Sequence, residues 1–101
     1  MLSHNVLFSL KDNADKAKNE LIAGCKKYLT DHPGAVFFGV GTVADDIVWE
    51  VSDRKFDVIL QIVFESKAAH DAYQDSPRHE EFFDRFGGNW KNLRSIDAYV
   101  E

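Results

Sequence analysis

Apolar and polar positions alternate along residues 3–10, SHNVLFSL: His4, Val6, Phe8 and Leu10 share one face, and Ser3, Asn5, Leu7 and Ser9 share the other. A period of two marks a strand. After Asp12 and Asn13, either of which can cap a helix, the spacing changes to three and four. Ala14, Ala17, Leu21, Cys25 and Tyr28 line one side, opposite Lys16, Asn19, Glu20 and Lys27, and predict an amphipathic helix ending near Leu29. His32-Pro33-Gly34 breaks that helix. AVFFGVGT at 35–42 and KFDVILQIVF at 55–64 predict two more strands. Between them, Ile47, Trp49 and Val51 alternate within VADDIVWEVSDR, 43–54, which fits a short strand extension or a hairpin arm. Ser66 caps a short helix from about Lys67 to Gln74. Ser76 and Pro77 begin another, with a hydroxyl at the N-cap and proline at the first helical position. Phe82, Phe83 and Phe86 form its apolar side, and Gly87-Gly88 ends it. NLRSIDAYV, about 92–100, predicts a last strand.

The order β-α-β-β-α-β is the ferredoxin-like plan, an α+β subunit with an antiparallel sheet. Right-handed crossovers place the helices on one face of that sheet. With 101 residues, the chain forms a single domain, 1–101. The third strand conflicts with one-sided cover. Val58, Leu60, Ile62 and Phe64 occupy one face, but Ile59 and Val63 occupy the other. With Leu7, Phe37 and part of the last strand, about five apolar side chains lie on the face without helices. Burying them is worth roughly 10 kcal/mol as an upper estimate, comparable with the whole stability of a small domain. A face-to-face homodimer is the expected solution, and the competing one is segment 43–54 folded over that face.

A net charge of −5, with no basic run beyond Lys26–Lys27, argues against nucleic acid and against anionic membrane surfaces. The opening residues lack a basic region followed by a long apolar stretch, so no secretory signal is expected. No apolar run approaches the ~20 residues of a membrane span. The single cysteine, Cys25, falls on the helical stripe and reads as a small buried residue, and a reducing, cytoplasmic setting is expected.

Three side chains are candidates for chemistry. If the His4 face is the helix-covered one, His4 points inward. Tyr73 ends the 67–74 helix and His79 lies in the first turn of the next, so a kink at Asp75–Pro77 would turn both toward the sheet. Val6, Phe8, Leu60, Ile62 and Phe82 would line the resulting cavity. A mostly apolar chamber with a few convergent polar atoms is the usual form of a small-ligand site. Taken singly, each residue has a plainer role: His4 as a satisfied core histidine, His79 as a helix-surface residue, and Tyr73 as core with its hydroxyl bonded to backbone. Only their joint placement makes a site. No metal or other cofactor is expected, because His4, His32, His70 and His79 show no helical ligand spacing. His70 reads as lying on a solvated face and His32 as part of a turn. Gly39-x-Gly41 precedes no helix, so it is no phosphate loop.

SHNVLFSLKD, HPGAVFFGVG and FDVILQIVFESKAAHDAYQDSPRHEEF together resemble the stress-responsive α/β-barrel (Dabb) family over nearly the whole chain, the last stretch through its Tyr-x-x-x-Pro-x-His pattern. The resemblance implies a dimer of ferredoxin-like subunits packed as a dimeric α/β barrel, with a cavity between sheet and helices. In plant relatives that are polyketide cyclases, the strand-one histidine corresponds to His4, the tyrosine to Tyr73, and the histidine after the proline to His79. The chain departs from the family where Ser76 stands in place of a frequent histidine, and in segment 43–54 with Asp45, Asp46 and Trp49. Three functions follow as alternatives. The first is a cavity that binds a small hydrophobic ligand. The second is a cyclase-like or isomerase-like enzyme that abstracts a proton next to a carbonyl, with His79 as base, Tyr73 polarising the oxygen and His4 orienting. The third, for which no residue pattern speaks, is a cofactor-free monooxygenase.

Overall fold

The computed structural model describes residues 1–101. Strands β1 (Leu2–Leu10), β2 (Ala35–Thr42), β3 (Val58–Phe64) and β4 (Trp90–Tyr99) form one antiparallel sheet in the order β2-β3-β1-β4. Helices α1 (Asp15–Tyr28), α2 (Lys67–Gln74) and α3 (Pro77–Phe86) cover one face, and a short 3₁₀ turn at Gly87–Asn89 leads into β4. This is the ferredoxin-like α+β fold.

Register follows from the alternation in β1. His4, Val6 and Phe8 pair with Ile62, Leu60 and Val58 of β3, so the faces of the two strands coincide. On the helix side Phe8, Leu29, Val58, Leu60, Ile62 and Phe64 are all but fully buried. Ile62 is therefore a fully buried core residue, not part of a cavity wall as the sequence suggested.

The helices dock by specific means. Gly24 lets α1 approach α3: a Cβ there would lie 2.3 Å from the Phe86 ring. Gly34 turns with φ +83, a conformation that favours glycine, and lies where a Cβ would strike Ala69. Helix α1 begins later than expected. Asp12 accepts the Ala14 N–H at 3.0 Å in a local turn, and Ala14 takes the N-cap with no side-chain cap. Cys25 is fully buried on α1, and burial pushes its thiol up to about 12. Ser66 and Ser76 cap α2 and α3 by accepting the N–H groups of Ala69 and His79, each at 3.2 Å.

Segment 43–54 is neither a strand extension nor a hairpin arm; it runs through turns with Ile47, Val48, Trp49 and Val51 exposed. It covers the helix-free face only in part. Arg94 binds Asp53 at 2.6 Å, and Lys55 O accepts from Arg94 and from Ser9. That anchors the end of the segment over the Leu7 end of the face. Leu7 is buried and Ile59 and Val63 half-buried, while Phe37 and Ile96 stay open. The five-residue burial estimate was thus too large. No helix is long and apolar enough to cross a membrane.

Candidate functional site

Helices α1 and α2 lie over β1, β2 and β3, while α3 meets β4 at Trp90, its first residue, through Phe82 and Phe83. Beneath the rest of that strand a cavity of about 320 Å³ opens. One end of it is aromatic. Phe8 and Trp90 stand with ring centroids 5.2 Å apart, Phe82 and Trp90 5.7 Å, and Phe83 and Trp90 4.9 Å. The other end is polar and holds His4, Tyr73, Gln74, His79 and Ser95.

Each polar residue is placed by its own element. His4 comes from β1 and is 4 % exposed. Tyr73 closes α2, and the Ser76 cap with Pro77 sets the first turn of α3, which carries His79. The Tyr73 ring stands 6.0 Å from that of His4 and 4.9 Å from that of His79, both edge-on. Thus the three candidates, His4, Tyr73 and His79, line one chamber with the tyrosine between the imidazoles. Val6, Phe8, Leu60 and Phe82 belong to its wall.

Electrostatics distinguish the two imidazoles. Burial, and then the charges of His4, His32 and His70, hold His79 below the ordinary histidine value, and no hydrogen bond to its ring offsets them. His4 has a carboxylate partner, its Nδ1 lying 2.5 Å from Asp97 Oδ1. An ionised carboxylate only accepts, so Nδ1 carries the hydrogen and the neutral ring keeps Nε2 as a bare acceptor. Burial pushes the Tyr73 phenol well above its usual range, so it is a neutral donor.

Sequence reasoning missed Asp97. Cross-strand register puts it directly opposite His4, and the signal was in the text: NLRSIDAYV alternates, so Leu93, Ser95 and Asp97 share a face. His70 was assigned to solvent, but it is half-buried, 4.9 Å edge-on from His4 and 5.7 Å from Phe64. His32, expected only as a turn residue, is buried with Nε2 2.9 Å from Tyr28 O and packs edge-on to Tyr73. All four histidines therefore gather around Tyr73 and His4, although they are far apart along the chain.

Gln74, His79 and Phe83 also border a shallow outer hollow flanked by Asp75, Glu80 and Asp84. The polar end of the cavity thus adjoins an acidic outer hollow.

Comparison with solved structures returns the same fold. An Arabidopsis thaliana protein matches with TM-score 0.81 at 27 % identity, covering 100 % of this chain and 96 % of its own. A dimeric ferredoxin-like protein of unknown function from Thermobifida fusca matches with TM-score 0.79 at 15 % identity, covering 98 % and 90 %. A hydroxynitrile lyase from Passiflora edulis matches with TM-score 0.76 at 21 % identity, covering 99 % and 93 %. Among curated proteins, none matches the chain. The profile of the stress responsive A/B barrel domain, Dabb, matches residues 2–100, and the chain belongs to that family.

Proposed function

We propose that the chain works as a homodimer, joined through the helix-free sheet face, whose cavity binds a small, largely apolar ligand bearing a carbonyl or hydroxyl oxygen. One observation carries this reading: an aromatic wall at one end of a ~320 Å³ chamber, with a phenol and an imidazole unengaged by hydrogen bonds at the other. That volume lies at the lower end of the range for small-molecule sites. The acidic outer hollow and the net charge of −5 disfavour anions, so the ligand is neutral. Phe37 and Ile96 on the open face, and neighbours described as dimeric, support the homodimer. A cytoplasmic location suits the single buried thiol.

The state of His79 favours a second reading, an enzyme. Held below the ordinary histidine value, it is neutral at physiological pH and free to accept a proton. Tyr73 would donate to the carbonyl oxygen, and His4, positioned by Asp97, would accept from a ligand hydroxyl or orient it. The reaction is proton abstraction next to a carbonyl. A fold neighbour named a hydroxynitrile lyase is in keeping with this reading.

Small aromatic ketones in D₂O separate the readings. Binding is followed by quenching of Trp90 in a Trp49→Phe background, and hydrogen exchange next to the carbonyl by NMR. Exchange that His79→Ala abolishes and Tyr73→Phe lowers supports the enzyme. Binding with no exchange, or with exchange that survives His79→Ala, leaves only the binding module. Absence of binding by any neutral aromatic ketone sinks both.

A further inference from the structure

Three side chains from three elements converge beside the cavity: His4 of β1, His70 of α2 and Asp97 of β4. One ligating atom of each lies within 4.8 Å of the other two. The helical ligand spacing that the sequence lacks concerns only ligands carried by one helix. This set is assembled by strand register and by the docking of α2, which no local spacing reveals.

The donors suit a borderline first-row cation. Two imidazoles and a carboxylate are the ligand types of zinc and its neighbours, not of magnesium or calcium, which favour all-oxygen sites. The surroundings fit as well. His70 Nδ1 lies 3.0 Å from Asp71 Oδ1, and Asp71 is held at its other oxygen by Lys67 at 2.6 Å. A ligating imidazole commonly has such a carboxylate behind it, which fixes the ring and raises its basicity. Burial falls across the set, from His4 through half-buried His70 to exposed Asp97, so a cation can reach it from the Asp97 side. His70 forms no part of the cavity wall, and the proposed ligand chemistry gives it no task.

We propose that His4, His70 and Asp97 bind a divalent cation of the zinc class, leaving at least one position for water or for a ligand in the adjoining cavity. Tetrahedral bonds of 2.0–2.1 Å separate ligand atoms by about 3.3 Å. Reaching that spacing requires Asp97 and His70, the two less buried members of the set, to rotate. The cation takes the place of the hydrogen between His4 Nδ1 and Asp97, and that hydrogen moves to Nε2 as the neutral ring changes tautomer, so no net proton leaves the ring. This inference does not depend on the function proposed above, since it needs neither Tyr73 nor His79.

The test uses the full chain, stripped with a chelator, and titrated with Zn²⁺ by calorimetry in two buffers of different ionisation heat. Co²⁺ is followed by its visible bands. Wild type is expected to bind one ion per chain, with the same heat in both buffers, because no net proton is released. His70→Ala and Asp97→Asn are each expected to weaken binding at least tenfold with unchanged circular dichroism, and Asp71→Asn about tenfold. His79→Ala is expected to bind like wild type. Because Asp97 is exposed and His70 only half-buried, neither variant endangers the fold. Absence of Zn²⁺ binding, or binding of equal strength in both His70→Ala and Asp97→Asn, overturns the proposal; the latter marks adventitious binding by scattered imidazoles.

Discussion

On the helix side of the sheet, Phe8, Val58, Leu60, Ile62 and Phe64 are each no more than 2 % exposed; on the other side Phe37 and Ile96 remain 52 % and 53 % exposed in the single chain. The first set comes from β1 and β3, and the second from the two edge strands, β2 and β4. Strand β3 sends Val58, Leu60, Ile62 and Phe64 one way and Ile59 and Val63 the other. The helix side is complete within one chain, except over β4 beyond Trp90, where the cover stops and the cavity begins. The open side is finished only at its Leu7 end, where Arg94, Asp53 and Lys55 tie the end of the 43–54 segment down. The first side therefore governs whether a chain folds, and the second is the face through which the proposed homodimer would join.

Two substitutions test that division. Ile62→Ala removes a fully buried side chain and should cost about 3 kcal/mol, within the range for buried isoleucine truncations. The loss should appear in urea denaturation as a shift of midpoint at constant slope. Phe37→Asp should leave the unfolding of a dilute chain nearly unchanged, because that ring is already half in water. In sedimentation at higher concentration it should halve the apparent mass. A Phe37→Asp protein that sediments like wild type would mean that the open face is not the contact surface. A midpoint shift in that variant as large as that of Ile62→Ala would mean that the two faces are not separate at all.

A smaller effect is expected where the helix layer meets the cavity. Ser76 Oγ accepts the His79 N–H at 3.2 Å, so one hydroxyl both caps α3 and fixes the turn that presents the imidazole. Ser76→Ala should cost about 1 kcal/mol, the usual loss for such a cap. Ser76→Gly should cost only a few tenths. If the hydroxyl also positions the base, Ser76→Gly should weaken ketone binding as much as Ser76→Ala does, although it costs far less stability.

This cap was legible in the sequence because it is local. Ser76, Pro77 and the phenylalanines after them carry the signal within a few residues, as does Ser66 before Lys67–Gln74. The strand faces were legible for the same reason, since alternation is a neighbour-to-neighbour property. The His4–Asp97 pair was not, because it depends on the register between β1 and β4, and the two residues are joined only through the closed sheet. His70 was misplaced because a helical position shows which residues share a face, not which face docks. Ile62 was misassigned to the cavity because alternation gives the side of the sheet but not how far the helices extend over it. Segment 43–54 misled by alternating without pairing: Ile47, Trp49 and Val51 have strand periodicity but no strand beside them.

The subtlest expected effect is the pH response of His79, which the open side of the sheet does not share. Burial, followed by the charges of His4, His32 and His70, lowers its pKa from the ordinary 6.5. The folded value lies below the unfolded one, so the unfolded chain takes up the proton first as pH falls. The stabilisation associated with neutral His79 is present above about 6.5 and is lost as pH drops through the folded value. Any exchange that needs the neutral base should therefore persist to lower pH than for a free histidine. His70→Gln removes one of the repelling charges and should move the acid limb slightly upward, with no change in chain association. The Cε1–H resonance of His79, titrated by NMR in wild type and His70→Gln, checks both. A wild-type midpoint at or above 6.5 would show that solvent reaches the ring freely, and the chamber would then give its imidazole nothing that the helix surface does not.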